Sequence, residues 1–111
     1  MIHIVRTHAT AQQVQEMLVE LESYIKLAVD VRRGVVAGGG GLHADCETAL
    51  LADGSRQEDV WGADWVPDTQ EVTYESLINI RPGQGNFSME LQDLALRARV
   101  EEVVRARLGA A

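Results

Sequence analysis

The sequence lacks the cysteines that a disulfide scaffold or a zinc finger requires. Cys46 is the only cysteine among 111 residues, and no CxxC or CxxH pair is present. A single cysteine cannot form an internal disulfide, and a classical zinc finger needs four ligands at short, regular spacings. Both classes of protein are therefore excluded.

The sequence also lacks long apolar runs and an excess of basic residues. No stretch approaches the roughly 18 apolar residues of a transmembrane helix, and no signal-peptide pattern opens the chain. Ten Lys and Arg residues stand against 17 Asp and Glu residues, which gives a net charge of -7. Duplex binding depends on the neutralisation of phosphates by Lys and Arg. We therefore expect a cytoplasmic protein that binds neither nucleic acid nor a membrane.

Two helices are indicated by apolar residues at helical spacing behind capping residues. Thr10 and Gln13 form a capping-box pattern before an amphipathic helix over about residues 11–24. Asp93 is a suitable N-cap for a second apolar stripe that runs to Leu108, where Gly109 suits the helix end. We expect both helices to pack on a sheet.

Strand patterns fill most of the chain between these helices. Residues 27–31 alternate between apolar and polar, and residues 35–37 can return antiparallel to them. Asp53-Gly54 is a hairpin signal between two predicted strands, and residues 82–85 are a dense turn signal between two more. The predicted strands are residues 2–4, 27–31, 35–37, 46–51, 55–66, 71–81 and 87–91.

Four consecutive glycines at residues 38–41 predict a flexible or tightly turning connection. A phosphate-binding loop is disfavoured, because no Lys-Ser/Thr follows and residues 41–45 do not read as the start of a helix.

These elements predict a single α+β domain over residues 1–111. The expected architecture has two layers: a mostly antiparallel sheet of about five to seven strands, with the N-terminal-half helix and the C-terminal helix on one face. The other face of the sheet would then be solvated or would pair with another subunit.

Residues 45–75, which we call the acidic segment, carry nine acidic residues and one basic residue, Arg56. Both tryptophans also lie in this segment. Aromatic rings beside carboxylates can bind an organic cation, although tryptophans are more often buried in the core. The candidate binding residues of this segment are Glu58, Asp59, Trp61, Asp64 and Trp65.

His43, Asp45 and Cys46 form a second candidate group. In an extended segment, His43 and Asp45 would project to the same side and could bind a divalent metal together with Asp59 or Glu58. Cys46 could instead act as a nucleophile with His43 as its base. Two ligands without a third match no known metal motif, and neighbouring acids oppose formation of a thiolate. We therefore assign no metal, no catalytic residue and no cofactor.

Four stretches of the sequence resemble a family of small bacterial proteins known only as a domain of unknown function. The first stretch joins residues 24–31 to residues 38–40, and the other three are residues 42–46, 54–65 and 76–82. The resemblance covers nearly the whole chain and implies a soluble bacterial protein of unassigned role. It supplies no catalytic or binding residue.

The function predicted from these observations is binding or assembly through the acidic segment. The expected partners are a second copy of the chain, a basic protein surface or a small cationic ligand. The alternative is a small enzyme, with or without a divalent metal, that uses His43, Asp45 and Asp59.

Overall fold

The computed structural model describes residues 1–110, in which a five-stranded antiparallel sheet carries helices on both faces. The strands pair in the order β1-β3-β2-β4-β5. They are β1 (His3–Val5), β2 (Ile25–Asp30), β3 (Val35–Gly38), β4 (Val60–Val66) and β5 (Glu71–Thr73). The predicted α+β class and the antiparallel sheet are confirmed.

The helices are α1 (Ala11–Met17), α2 (His43–Ala52) and α3 (Leu94–Leu108). Both predicted caps are present: the Thr10 side chain accepts from the backbone of Gln13, and the Asp93 side chain accepts from the start of α3. As predicted, α1 and α3 pack on one face of the sheet. Helix α1 ends at Met17 rather than near residue 24. Residues 18–21 form turns, and Glu22 has a φ of 67°, which is not helical, before β2 begins.

The alternation of side chains along β2 and β4 separates the two faces. The odd-numbered residues of β2, beginning with Ile25, and those of β4, ending with Trp65, pack under α1 and α3 in the larger core. Even-numbered residues point to the opposite face, where α2 covers Ala28 and Val60. Strand pairing places Lys26 directly opposite Asp64 on that second face. The sheet therefore buries apolar side chains on both faces and presents two charged ones beside α2.

Residues 46–51 form part of α2, so the predicted strand and the predicted Asp53-Gly54 hairpin are wrong. Cys46 and Leu50 lie one helical turn apart and both are fully buried against the sheet. Gly54 has a φ of 103° just beyond the end of α2, where a left-handed residue commonly ends a helix. The expectation that residues 41–45 open no helix is also wrong. A third layer thus covers part of the face that was predicted to be solvated or paired.

Residues 74–93, which we call the edge loop, replace the second predicted hairpin. The predicted strand over residues 71–81 is reduced to β5, and short 3-10 turns follow at Leu77–Asn79 and Pro82–Gln84. Two isolated pairs, Glu75 with Glu90 and Arg81 with Asn86, are all that remains of the ladder within the described residues.

Two buried asparagines hold the edge loop in place: Asn79 binds it to β4, and Asn86 binds parts of the loop to each other. The Gly62 amide donates to Asn79 Oδ1 at 2.8 Å, and Asn79 Nδ2 donates to the Gly62 carbonyl at 3.0 Å. The Asn79 side chain thus pairs with β4 as the backbone of a neighbouring strand would. Asn86 Nδ2 in turn donates to carbonyls within the loop, including that of Asn79 at 2.8 Å.

Gly62 is a glycine because the edge loop packs directly against its α-carbon. A Cβ at this position would lie 2.5 Å from the Cβ of Ser76. Gly62 lies in regular antiparallel register opposite Ala28. The absence of a side chain lets the loop approach closely enough for Asn79 to pair with the strand.

We predict that Gly62→Ala lowers the free energy of unfolding by about 2 kcal/mol, because the added methyl group overpacks the loop contact. Urea denaturation followed by circular dichroism measures this change. Gly83→Ala is the matched control, since a Cβ at Gly83 meets no atom within 4 Å. Its effect should stay below about 1 kcal/mol. Equal effects of the two substitutions would contradict the packing argument.

An ionic cluster joins β1, the β2–β3 hairpin and the end of α2. The Asp53 carboxylate accepts from Arg6 Nη1 at 2.7 Å and from Arg33 Nη2 at 2.7 Å. Behind it, the fully buried Asp30 accepts from Ser55 Oγ at 2.6 Å and from the backbone amides of its own turn. The hydrogen bonds from Arg6, with the charges of Arg6 and Arg33, lower the pKa of Asp53.

A carboxyl group with a lowered pKa stabilises the fold above its unfolded pKa and loses that contribution as the pH falls through its folded pKa. For Asp53 that window lies below the reference pKa of 3.8. We therefore predict that wild type and Asp53→Asn differ in urea midpoint by a constant amount above about pH 5 and converge in more acidic solution. Asp68→Asn, at an exposed position, is the control. A difference that persists unchanged to pH 2 would contradict the role of Asp53.

Candidate functional site

A cavity of about 510 Å³ opens on the second face of the sheet, between the first turn of α2, strands β2, β4 and β5, and the edge loop. We call it the α2 cavity. Its walls are mainly apolar, and its polar groups come from the sheet, from α2 and from the edge loop. The apolar walls are formed by Leu42, Leu77, Ile78 and Met89, and the charged or titratable lining residues are Lys26, His43, Asp64 and Glu75.

His43 and Asp64 form a hydrogen-bonded pair in this cavity. His43 Nε2 lies 2.8 Å from Asp64 Oδ1 and 3.1 Å from the Ala63 carbonyl. Both of these neighbours are acceptors, so we assign the proton to Nε2. Asp64 also accepts a hydrogen bond from Thr73 Oγ1 at 3.2 Å. The carboxylate therefore fixes the orientation of the ring and leaves Nδ1 without a partner in residues 1–110.

Lys26 is the second fixed polar group of the cavity. Its ammonium group donates to the Gly41 carbonyl at 3.2 Å, in the loop that leads into α2. The connection predicted at residues 38–41 is formed by residues 39–41, with a φ of 106° at Gly39, because Gly38 is still part of β3. Leu42 occupies the N-cap of α2 and has no side-chain oxygen to cap the helix. The start of α2, Lys26 and the His43–Asp64 pair thus all line the α2 cavity.

The comparisons with known proteins place the chain in one family. A family model described as "Protein of unknown function (DUF5674)" matches residues 3–107. The chain belongs to DUF5674. No curated protein and no solved structure matches it. None of the helices in residues 1–110 has the length and apolar character needed to span a bilayer. The predicted resemblance to a domain of unknown function is confirmed.

In this DUF5674 domain, the candidate residues of the acidic segment do not form one surface. Glu58 is exposed beside Arg56, and Asp59 pairs with Arg32 at 2.9 Å at the start of β4. Asp64 lies near the other end of β4 and faces the α2 cavity.

The two tryptophans lie on the opposite face of β4 from Asp64, in the core. Trp61 is 4% exposed and Trp65 is fully buried. The guanidinium groups of Arg81 and Arg105 lie 4.4 Å and 5.8 Å from their ring centroids. Both indoles therefore contribute to packing, and neither presents a free face to solvent.

The His43–Asp45 group is also arranged differently from the sequence expectation. Both residues lie in the first turn of α2 rather than in an extended segment, and Asp45 is exposed. Within residues 1–110, no three His, Cys, Asp or Glu side chains converge on a point where they could hold a metal ion. The partner of His43 is Asp64, which the sequence analysis had placed in the other candidate group.

Cys46 is directed into the core between α2 and the sheet. It is fully buried, and its thiol donates to the Lys26 carbonyl at 3.5 Å. Burial raises the pKa of Cys46 further from neutrality. This environment favours the neutral thiol and gives the sulfur no contact with the solvent.

We predict that Cys46 does not react with Ellman's reagent in the native protein at pH 8, because both access and ionisation are suppressed. Release of the coloured thiolate should appear only when urea unfolds the chain. Immediate labelling of the native protein, with no loss of circular dichroism, would instead show an accessible thiol and revive the nucleophile hypothesis.

Lys26 and the apolar walls of the cavity were not predicted from the sequence. Lys26 directly precedes the predicted strand over residues 27–31 and was given no role. Leu77, Ile78 and Met89 appeared as parts of a second hairpin. A usable signal was present in residues 43–52, whose Ala, Leu and Glu residues favour a helix and would have placed His43 at a helix start.

Proposed function

We propose that this DUF5674 domain binds a small, largely apolar molecule in the α2 cavity. The observation that carries the proposal is a cavity of about 510 Å³ whose apolar walls remain open to solvent. Leu77 is 72% exposed and Leu42 is 59% exposed. Small-molecule sites typically measure roughly 300–1,000 Å³ and combine apolar walls with a few polar groups.

The polar end of the cavity supports this proposal, because its groups are held in place before a ligand arrives. His43 is fixed by Asp64, Asp64 by Thr73, and Lys26 by the Gly41 carbonyl. Polar groups held in this way orient a ligand without a further entropic cost for their own ordering. The walls would supply affinity, and the polar end would supply selectivity.

Catalysis by His43 is a second candidate, favoured by its pairing with a carboxylate. A ring whose Nε2 proton is held by Asp64 presents Nδ1 as a base, which reverses the roles of the two nitrogens in the Ser-His-Asp triad. The alternative predicted from the sequence used His43, Asp45 and Asp59. Neither Asp45 nor Asp59 lines the cavity, so this second candidate pairs His43 with Asp64 instead. A bound ligand that is recovered chemically unchanged supports binding alone.

A bacterial source, a cytoplasmic location and a homo-oligomer stay predictions from the sequence. The same holds for recognition of a basic protein surface or a small cation by the acidic segment. The exposed side chains of Phe87 and Leu94 are compatible with self-association, because large apolar side chains on a surface often mark interfaces.

We predict that the uncharged fluorescent probe N-phenyl-1-naphthylamine binds the wild-type domain and that Leu77→Asp weakens binding at least about tenfold. The substitution removes an apolar contact worth roughly 1.5–3 kcal/mol when fully buried and adds a charge to the wall. Fluorescence titration gives the dissociation constants.

Leu94→Asp is the matched control, because Leu94 is 76% exposed and lies outside the cavity at the start of α3. Its probe affinity should remain within about twofold of wild type. If the probe fails to bind, or if both variants bind it equally, the α2 cavity is not the binding site.

A further inference from the structure

Lys26 stands out among the basic residues of this acidic chain. Most arginines meet a carboxylate, as Arg32 meets Asp59 and Arg81 meets Glu47. The exceptions are Arg97, which lies over the Tyr74 ring, and Arg107, which donates to the Gly34 carbonyl. Lys26 meets no carboxylate within 4 Å in the described residues, although β-pairing places it directly opposite Asp64. Its only hydrogen-bond partner in residues 1–110 is the Gly41 carbonyl. Two of its three N–H donors are therefore left for a group outside the protein.

The carboxylate opposite Lys26 in the sheet, Asp64, is engaged by other side chains. One oxygen of Asp64 accepts from His43 and the other accepts from Thr73. The remaining carboxylate of the cavity lining, Glu75, is exposed on the edge loop, where solvent screens its charge. The ammonium group of the half-buried Lys26 thus lines a mainly apolar cavity without a direct counterion in the described residues.

We infer that the ligand of the α2 cavity is an amphipathic organic acid whose carboxylate binds Lys26. Its apolar body would lie along Leu77 and Met89, at the walls of the same cavity. This inference rests on the proposed function and adds the charge of the ligand. A carboxylate forms a charge-assisted hydrogen bond with an ammonium group, whereas an alcohol forms a weaker neutral one and an amine is repelled.

Three ligands with the same chain test the charge: octanoate, 1-octanol and octylamine, each used at pH 8 to displace N-phenyl-1-naphthylamine. Octanoate should displace the probe at least about tenfold more tightly than octanol, and octylamine should be the weakest. Octanol equal to octanoate, or octylamine as the tightest ligand, would overturn the inference while probe binding still supports the cavity. Absence of Leu77-dependent probe binding would instead overturn the proposed function.

Lys26→Gln tests the residue, because glutamine can still donate to the Gly41 carbonyl but carries no charge. The preference for octanoate over octanol should fall to about onefold in this variant. Arg56→Gln is the control, since Arg56 is an exposed base outside the cavity; it should keep the wild-type preference. A preference retained in Lys26→Gln would overturn the assignment. If that variant fails to fold, the three-ligand comparison on wild type decides the question.

Discussion

The pairing of the Asn79 side chain with both backbone groups of Gly62 determines the shape of one side of this molecule. Beside Gly62, β4 has no strand neighbour on the side away from β2, because β5 pairs only with residues 64–66. Backbone groups left unpaired in a buried position are costly. The carboxamide satisfies the amide and the carbonyl together, at 2.8 Å and 3.0 Å. The Asn79 side chain thus forms the two hydrogen bonds that a neighbouring strand would otherwise form with Gly62.

The α2 cavity depends on this replacement. An additional strand beside β4 would continue the sheet and carry its side chains alternately to the two faces. The edge loop instead turns at Leu77–Asn79 and returns through Asn86, which holds Ser88 and Glu90 by their carbonyls. Ile78 and Met89 consequently come to lie across from the first turn of α2. The space between the loop and the helix is what remains open.

Local patterns predicted the parts of the fold that depend on neighbouring residues. The caps at Thr10 and Asp93 and the β2–β3 hairpin follow from short stretches of sequence. Helix α2 was missed because Asp53-Gly54 suits both a hairpin turn and a helix end, and the hairpin interpretation turned residues 46–51 into a strand. The site was only half predicted: His43 and Asp64 were both singled out, but in separate groups. Their contact depends on the packing of α2 against β4, and the position of Lys26 depends on pairing between β2 and β4, which are distant in sequence.

The carboxylates of the acidic segment have different partners in different parts of the fold. Asp59 directly precedes β4 and Asp64 is its fifth residue, so the four strand steps from Val60 to Asp64, about 13 Å, lie between them. At one end Asp59 neutralises Arg32, and near the other Asp64 orients His43. Glu47 lies against Arg81, which also stacks on Trp61 and helps to hold the edge loop. Much of the negative charge is thus used to fix basic groups within the domain, and Lys26 is a basic group for which no such carboxylate is supplied. We therefore expect a charged ligand to bind in the α2 cavity, beside Lys26, rather than on the acidic segment.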